Sequence, residues 1–434
     1  MIAQILFILL LGIASFFSYK RFAFVKRNIL IGRNTDSSGT SSERWATMAR
    51  VALGQGKMFT RPVAAIMHLI IYAGFIIINI ELLEIILDGI TGHHRLFSFL
   101  GGFYDFLIGS FEVLAFLVLL ACVVFLARRN VVRIKRFWMR EMTSWPRTDA
   151  NLILIAEVLL MSAFLTMNAC DVILQSRGAE HYVEAGSFPV SQMLIPMLEN
   201  SSSGSLILIE RGCWWFHIIG ILAFIVYVTY SKHLHIILAF PNTYYSKLQP
   251  AGELGNLESV TNEVKLMLDP SLPPPVTDGT PTRFGAKDVF DLSWVNLLNA
   301  YSCTECGRCT SECPANQTGK LLSPRKIMMD TRDRLEEVGR CIDTNNGVWA
   351  DDGKTLLRDY ISEEELWACT TCNACTQACP ININPLEIIV DLRRYLIMEE
   401  SKSPESITVM FNNIENNGAP WAMSAADRAN WTNN

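Results

Sequence analysis

The chain has 434 residues, 50% of them hydrophobic and 18% charged, with a formal net charge of −5. A soluble domain carries about 25% charged residues, and here the long apolar runs lie within residues 1–240 while 241–434 read as an ordinary polar chain. This excludes a single soluble globule, a disordered protein and a fibrous repeat. The acidic balance, without a basic patch of interleaved aromatics, argues against nucleic-acid binding.

Five segments have the apolar length that crosses a bilayer, roughly 20 residues. They are about Ile2–Ser18, Pro62–Leu87, Phe103–Ala127, Asn151–Leu174 and Cys213–Phe240. The first has no positive charge before it and no small-residue cleavage site after it, so it reads as a span and not as a signal peptide. The loops after the first and third segments hold nine and seven Lys or Arg, against one and two in the opposite loops. That bias puts the amino terminus outside and everything after Phe240 in the cytoplasm.

Ionisable groups inside a membrane are costly and usually functional. His68 lies in the second segment, and His217, His233 and His235 in the fifth. On one continuous helix His217 and His235 share a face about 27 Å apart, and His233 points about 160° away from it. His68 and His235 lie at matching depth near the cytoplasmic side, which predicts a bis-histidine b-type haem between them. A second haem at His217, near the outer face, would take His94 as its partner, with His93 and His181 as the alternatives. Arg61 and Lys232 are placed to neutralise haem propionates. Asn79, Glu81, Glu84, Glu112, Glu157 and Asp171 either serve a quinone pocket or proton path or simply face the bundle interior. Cys122, Cys170 and Cys213 read as small apolar residues.

Residues 241–295 include Pro270, Pro273, Pro274, Pro275 and Pro281 and read as an extended connector. Beyond it a cysteine run appears twice: Cys303-Thr-Glu-Cys306-Gly-Arg-Cys309-Thr-Ser-Glu-Cys313-Pro314 and Cys369-Thr-Thr-Cys372-Asn-Ala-Cys375-Thr-Gln-Ala-Cys379-Pro380. Both match C-x2-C-x2-C-x3-C-P, in which the fourth cysteine ligates the other cluster. Cys303, Cys306, Cys309 and Cys379 then hold one [4Fe-4S] cluster, and Cys369, Cys372, Cys375 and Cys313 the other. Zinc sites instead use two short-spaced pairs around one tetrahedral ion. Cys341 falls outside both runs. Leu386–Met398 repeats apolar residues at three and four, so the surroundings of the clusters are helical. The expected fold is all-α. A five-helix transmembrane cytochrome b bundle (1–240) is followed by the linker (241–295), a cytoplasmic α-helical ferredoxin domain with two [4Fe-4S] clusters (296–400) and a tail (401–434).

The first cysteine run, followed by Thr318-Gly-Lys-Leu-Leu-Ser323-Pro324-Arg325, resembles the two-cluster subunit of heterodisulfide reductases. Arg61-Pro62-x4-Met67-His68 and His217-x17-His235, with Ser231-Lys232 before the last histidine, resemble the cytochrome b subunit of those enzymes and of respiratory nitrate reductase. Joined in one chain, the modules are similar to bacterial membrane electron-transfer-flavoprotein:quinone oxidoreductases. The resemblance implies a multi-pass subunit of a prokaryotic cytoplasmic membrane, with its iron–sulfur domain in the cytoplasm. It would pass electrons between a soluble redox partner, such as an electron-transfer flavoprotein, and the quinone or menaquinone pool, leaving substrate chemistry to the partner.

Two departures matter. The nitrate reductase pattern has a second histidine ten residues further along helix two, where this chain has Ile78. The fused relatives continue into a cysteine-rich domain with a Cys–Cys pair. No adjacent cysteines occur here, so a separate cysteine-rich subunit is the expected partner, with the 401–434 tail as its contact. The alternatives are a quinol-oxidising module feeding a heterodisulfide-type reductase, and a redox-sensing membrane iron–sulfur protein.

Overall fold

Residues 1–35, 39–250, 252–273 and 283–433 are described by a computed structural model. Pro274, Pro275 and Pro281 of the expected connector lie outside them. The described residues are helical, with no strand and only two isolated bridges, Arg33 with Ser293 and Leu357 with Ile361.

Five helices are long and apolar enough to cross a membrane: α1 (Ile2–Ile29), α2 (Pro62–Thr91), α3 (Gly102–Asn130), α4 (Ser144–Ser176) and α5 (Ser203–Val228). Their outer faces keep Phe16, Phe106 and Leu208 more than half exposed, which suits lipid and not water. α2 starts on Pro62, where a missing N–H leaves nothing unsatisfied. It stops at Gly92, whose φ of 80° lets its N–H bond Asp88 O.

One compact unit comprises Met1–Arg27, Thr40–Tyr244 and Tyr301–Gly307. Part of its core lies where α3, α4 and α5 meet, with Val118, Cys122, Leu160 and Phe164 buried and Trp214 and Ile221 packed against them. Gly220 permits this approach, because a Cβ there would lie 2.6 Å from Leu160 Cδ2. Several intramembrane carboxylates act as fasteners. Buried Arg95 bonds Asp171 at 2.6 Å and Asn168 at 3.2 Å, while Glu84 accepts from Tyr104 Oη at 2.9 Å and Phe97 N at 2.7 Å. Glu112 accepts from Asn168 Nδ2 at 3.0 Å and Val190 N at 3.0 Å.

The fifth span departs from the expected Cys213–Phe240. α5 ends at Val228, Ser231 is extended at φ −104° and ψ 160°, Lys232–Leu234 make a 3-10 turn, and α6 (His235–Tyr244) restarts the helix. The cause is polar. Ser231 Oγ accepts from His233 N at 3.1 Å and donates to Asp149 Oδ1 at 2.7 Å, and Asp149 also takes Tyr227 Oη at 2.5 Å and Lys232 N at 3.3 Å. Side chains that bond the local backbone compete with the helix ladder. His217 consequently sits near the middle of α5 and not near an outer end, and a constant 100° step no longer relates it to His233 and His235.

The other unit comprises Asn28–Gly39, Tyr245–Ala300 and Arg308–Asn434. Where an extended connector was expected it forms a helix, α7 (Glu258–Leu268). Pro270 comes just after this helix and so ends it without preventing it. Two short helices, α8 (Arg308–Glu312) and α10 (Ala374–Ala378), pack together. α9 (Pro324–Thr344) packs on α11 (Pro385–Met398), and the tail forms α12 (Glu405–Asn417). Arg334 of α9 is fully buried and bonds Asp288 at 2.7 Å, Asp352 at 2.5 Å and Lys354 O at 2.7 Å.

Candidate functional site

The two cysteine runs fold alike. Glu305 and Gly307 flank Cys306 with φ of 54° and 70°, and Thr371 and Asn373 flank Cys372 with 54° and 61°. Alternating backbone hands of this kind turn successive N–H groups inward and make the concavities that accept Fe–S clusters. Each loop enters a short helix, α8 or α10. Each ends on an extended cysteine, Cys313 (φ −76°, ψ 118°) or Cys379 (φ −70°, ψ 126°). Pro314 and Pro380 impose that extension on the residue before them.

The donor set suits the cofactor. Thr371 N donates to Cys369 Sγ at 3.4 Å and Ile383 N to Cys379 Sγ at 3.3 Å, and N–H groups aimed at sulfur stabilise thiolate charge. Arg393 Nη2 holds the Cys369 carbonyl at 2.5 Å. Burial pushes the Cys375 thiol up to about 12, and raises Cys369 as well. The charge of Cys313 raises both further, and the helix that precedes it, α8, packs on α10 of the second run. No disulfide joins any of the twelve cysteines. Cys341 Sγ instead donates to Ala350 O at 3.3 Å.

The histidines regroup around the broken fifth span. The rings of His68 on α2 and His235 on α6 lie 6.5 Å apart between centroids, tilted by 43°. His68 Nδ1 bonds Gln55 Oε1 at 3.1 Å and His235 Nδ1 bonds Lys232 O at 3.2 Å. An acceptor at Nδ1 fixes the tautomer whose lone pair is on Nε2, as in ligating histidines generally. Two such imidazoles from separate helices fit the axial ligation of one haem iron. His233 does not point elsewhere: its ring is 5.3 Å from that of His235 and 5.7 Å from Phe224. The 3-10 turn brings it there, where a continuous helix would have turned it away.

The proposed outer pair is not brought together. His217 Nδ1 bonds Leu160 O at 3.0 Å, whereas His94 Nε2 lies 3.7 Å from Asp171 Oδ1. Those partners are eleven residues apart on α4, about 16 Å of rise. Lys232 is also redirected, because its ammonium pairs with Glu305 and approaches Asp149 at 3.8 Å, a buried arrangement that leaves a haem propionate no claim on it. Arg61 stands at the N-cap of α2. Gln55 and Glu305 carried no readable signal in the sequence. Gln55 is an uncharged residue in a turn thirteen positions before His68, and Glu305 is one acid inside a motif defined by its cysteines.

A family described as a 4Fe-4S dicluster domain matches residues 302–383. The chain is 29% identical to the probable iron-sulfur-binding oxidoreductase FadF of Bacillus subtilis, over 95% of this chain and 57% of the relative. It is 25% identical to the EtfAB:quinone oxidoreductase of Syntrophomonas wolfei, over 88% of this chain and 52% of the relative. One subunit of the ferredoxin/F(420)H(2)-dependent CoB-CoM heterodisulfide reductase of Methanosarcina acetivorans is 34% identical over 25% of this chain and 53% of the relative. The chain thus spans about half the length of the curated relatives it matches, which are named as an iron-sulfur-binding oxidoreductase, a quinone oxidoreductase and a heterodisulfide reductase subunit. No solved structure matches it.

Proposed function

We propose that the chain is a membrane electron-transfer module that carries electrons between a cytoplasmic redox protein and the quinone pool, through two [4Fe-4S] clusters and a haem b held by His68 and His235. Cys303, Cys306, Cys309 and Cys379 hold one cluster and Cys369, Cys372, Cys375 and Cys313 the other. The clusters supply one-electron steps. The protein buries four of their thiols, Cys303, Cys313, Cys375 and Cys379, and Gln55 and Lys232 orient the imidazoles. The observation that carries the reading is the His68–His235 pair, two rings 6.5 Å apart on different helices, in a chain that also bears the duplicated cysteine loops. A sensor or a simple ferredoxin needs no such pair. The basic loops support a cytoplasmic iron–sulfur half. The name of the Syntrophomonas relative supports an electron-transfer flavoprotein as donor and a quinone as acceptor.

The test is haem content and reduced-minus-oxidised spectra of membranes. His68→Ala and His235→Ala are each expected to abolish a low-spin b-type signal that His233→Ala retains. Membranes in which His233→Ala loses the signal and His235→Ala keeps it would overturn the ligand assignment, and a wild-type chain with no haem would overturn the module.

A further inference from the structure

The loop between Cys303 and Cys306 is fastened to the segment that carries His235 by a buried ion pair. Lys232 Nζ donates to Glu305 Oε2, and the two side chains are only 9% and 3% exposed. The same ammonium donates to Pro146 O at 2.6 Å, and the backbone carbonyl of Lys232 accepts from His235 Nδ1 at 3.2 Å. Lys232 thereby holds an imidazole with its backbone and a cysteine loop with its side chain. A second tie runs beside it, from Ser302 Oγ to Leu238 O at 3.4 Å.

The two loops share a backbone but not this clamp. Thr371, which matches Glu305 in position and φ, instead bonds Thr370 O at 2.7 Å. Burial differs in the same sense. Cys303 and Glu305 are buried and no residue of 303–307 is exposed, whereas Thr370, Thr371 and Cys372 are all exposed. An exposed ion pair contributes little. A buried one is different, because removing one partner leaves an uncompensated charge, so it holds its two segments in a fixed relation.

Resting on the haem and cluster assignment above, we propose that Lys232–Glu305 is a positioning pair that makes the cluster of the Cys303–Cys306 loop the one exchanging electrons with the His68–His235 haem. Held by these residues, the cluster and the haem would exchange one electron, the one being oxidised as the other is reduced. Lys232 and Glu305 carry no electron themselves. They fix the separation and orientation of the two sites, on which the rate of electron exchange between fixed centres depends.

The test uses the full chain purified in detergent, with iron, acid-labile sulfide and haem quantified for every variant. Haem reduction by excess dithionite is followed by stopped-flow absorbance, and Cys303→Ser defines the direct rate that bypasses the first cluster. Glu305→Gln, which keeps Lys232 beside Asp149, and the double variant Lys232→Met with Glu305→Leu, which removes both charges of the clamp, are expected to slow the cluster-dependent phase ten-fold or more at unchanged iron, sulfide and haem. The wild-type rate in both variants would overturn the proposal, as would a slowing accounted for by lost cofactor, or a Cys303→Ser chain that reduces its haem at the wild-type rate. A wild-type chain lacking haem overturns the underlying reading first, and is seen in the content assay before any kinetics.

Discussion

In the proposed haem site, Gln55 would act without touching the metal. Its Oε1 fixes the tautomer of His68 from a buried turn where Gln55 itself has φ 49°. Partners of this kind are typically worth about 10–100-fold in metal affinity. Gln55→Leu is therefore expected to weaken haem retention by that order while leaving the cysteine clusters intact, as measured by haem titration of the stripped protein. Cys313 makes the matching point for the clusters. It follows α8 in the first run, and α8 packs on α10 of the second; by the proposed crossover it belongs to the second cluster. Cys313→Ser should thus damage the cluster of the second run and spare most of the first, read as loss of one of two electron paramagnetic resonance signals. Loss of the first-run cluster alone would show that the crossover is wrong.

Between helices, close packing and buried ion pairs carry the load. A methyl group at Gly220 meets Leu160 Cδ2 at 2.6 Å, so Gly220→Val is expected to lower stability by about 1–3 kcal/mol through overpacking of α4 on α5. Arg334→Met strands Asp288 and Asp352 and should cost about 3–5 kcal/mol, visible in thermal unfolding of the purified chain. The hydrogen bond from Arg334 holds the Asp352 carboxyl below its ordinary value of 3.8. A depressed carboxyl contributes stability that is present above its unfolded value and lost as pH falls through its folded one. That part of the stability should stay level from pH 7 to 5 and decline only below about pH 4. The apolar spans and the cysteine runs were legible in the sequence because each repeats a pattern over many residues. The break at Ser231 was not, because it depends on Asp149, eighty-two positions away, and apolar residues continue on both sides of it. α7 was hidden by prolines that in fact lie past its end.

For the molecule as a whole, two complete cysteine runs imply about eight iron and eight acid-labile sulfide per chain. Metal analysis giving half that, or zinc, would remove the second cluster from the account. The distribution of Lys and Arg makes a separate claim about sidedness. Protease added to inverted membrane vesicles should release the 241–434 half, while right-side-out vesicles should protect it. The reverse pattern would turn the clusters away from the cytoplasm and exclude a cytoplasmic electron donor.

Glu305, Thr371 and Asn373 hold a left-handed backbone without being glycine. Such positions cost on the order of 1–3 kcal/mol each, and Thr371, being β-branched, suits that region least. A chain that has not yet received its clusters keeps these costs with nothing to offset them, so loops 303–309 and 369–375 are where it should come apart first. Cofactor loading would then double as quality control. An empty chain should then be cut by protease within these loops and a loaded one should resist, so that maturation and resistance to degradation would arrive in one step.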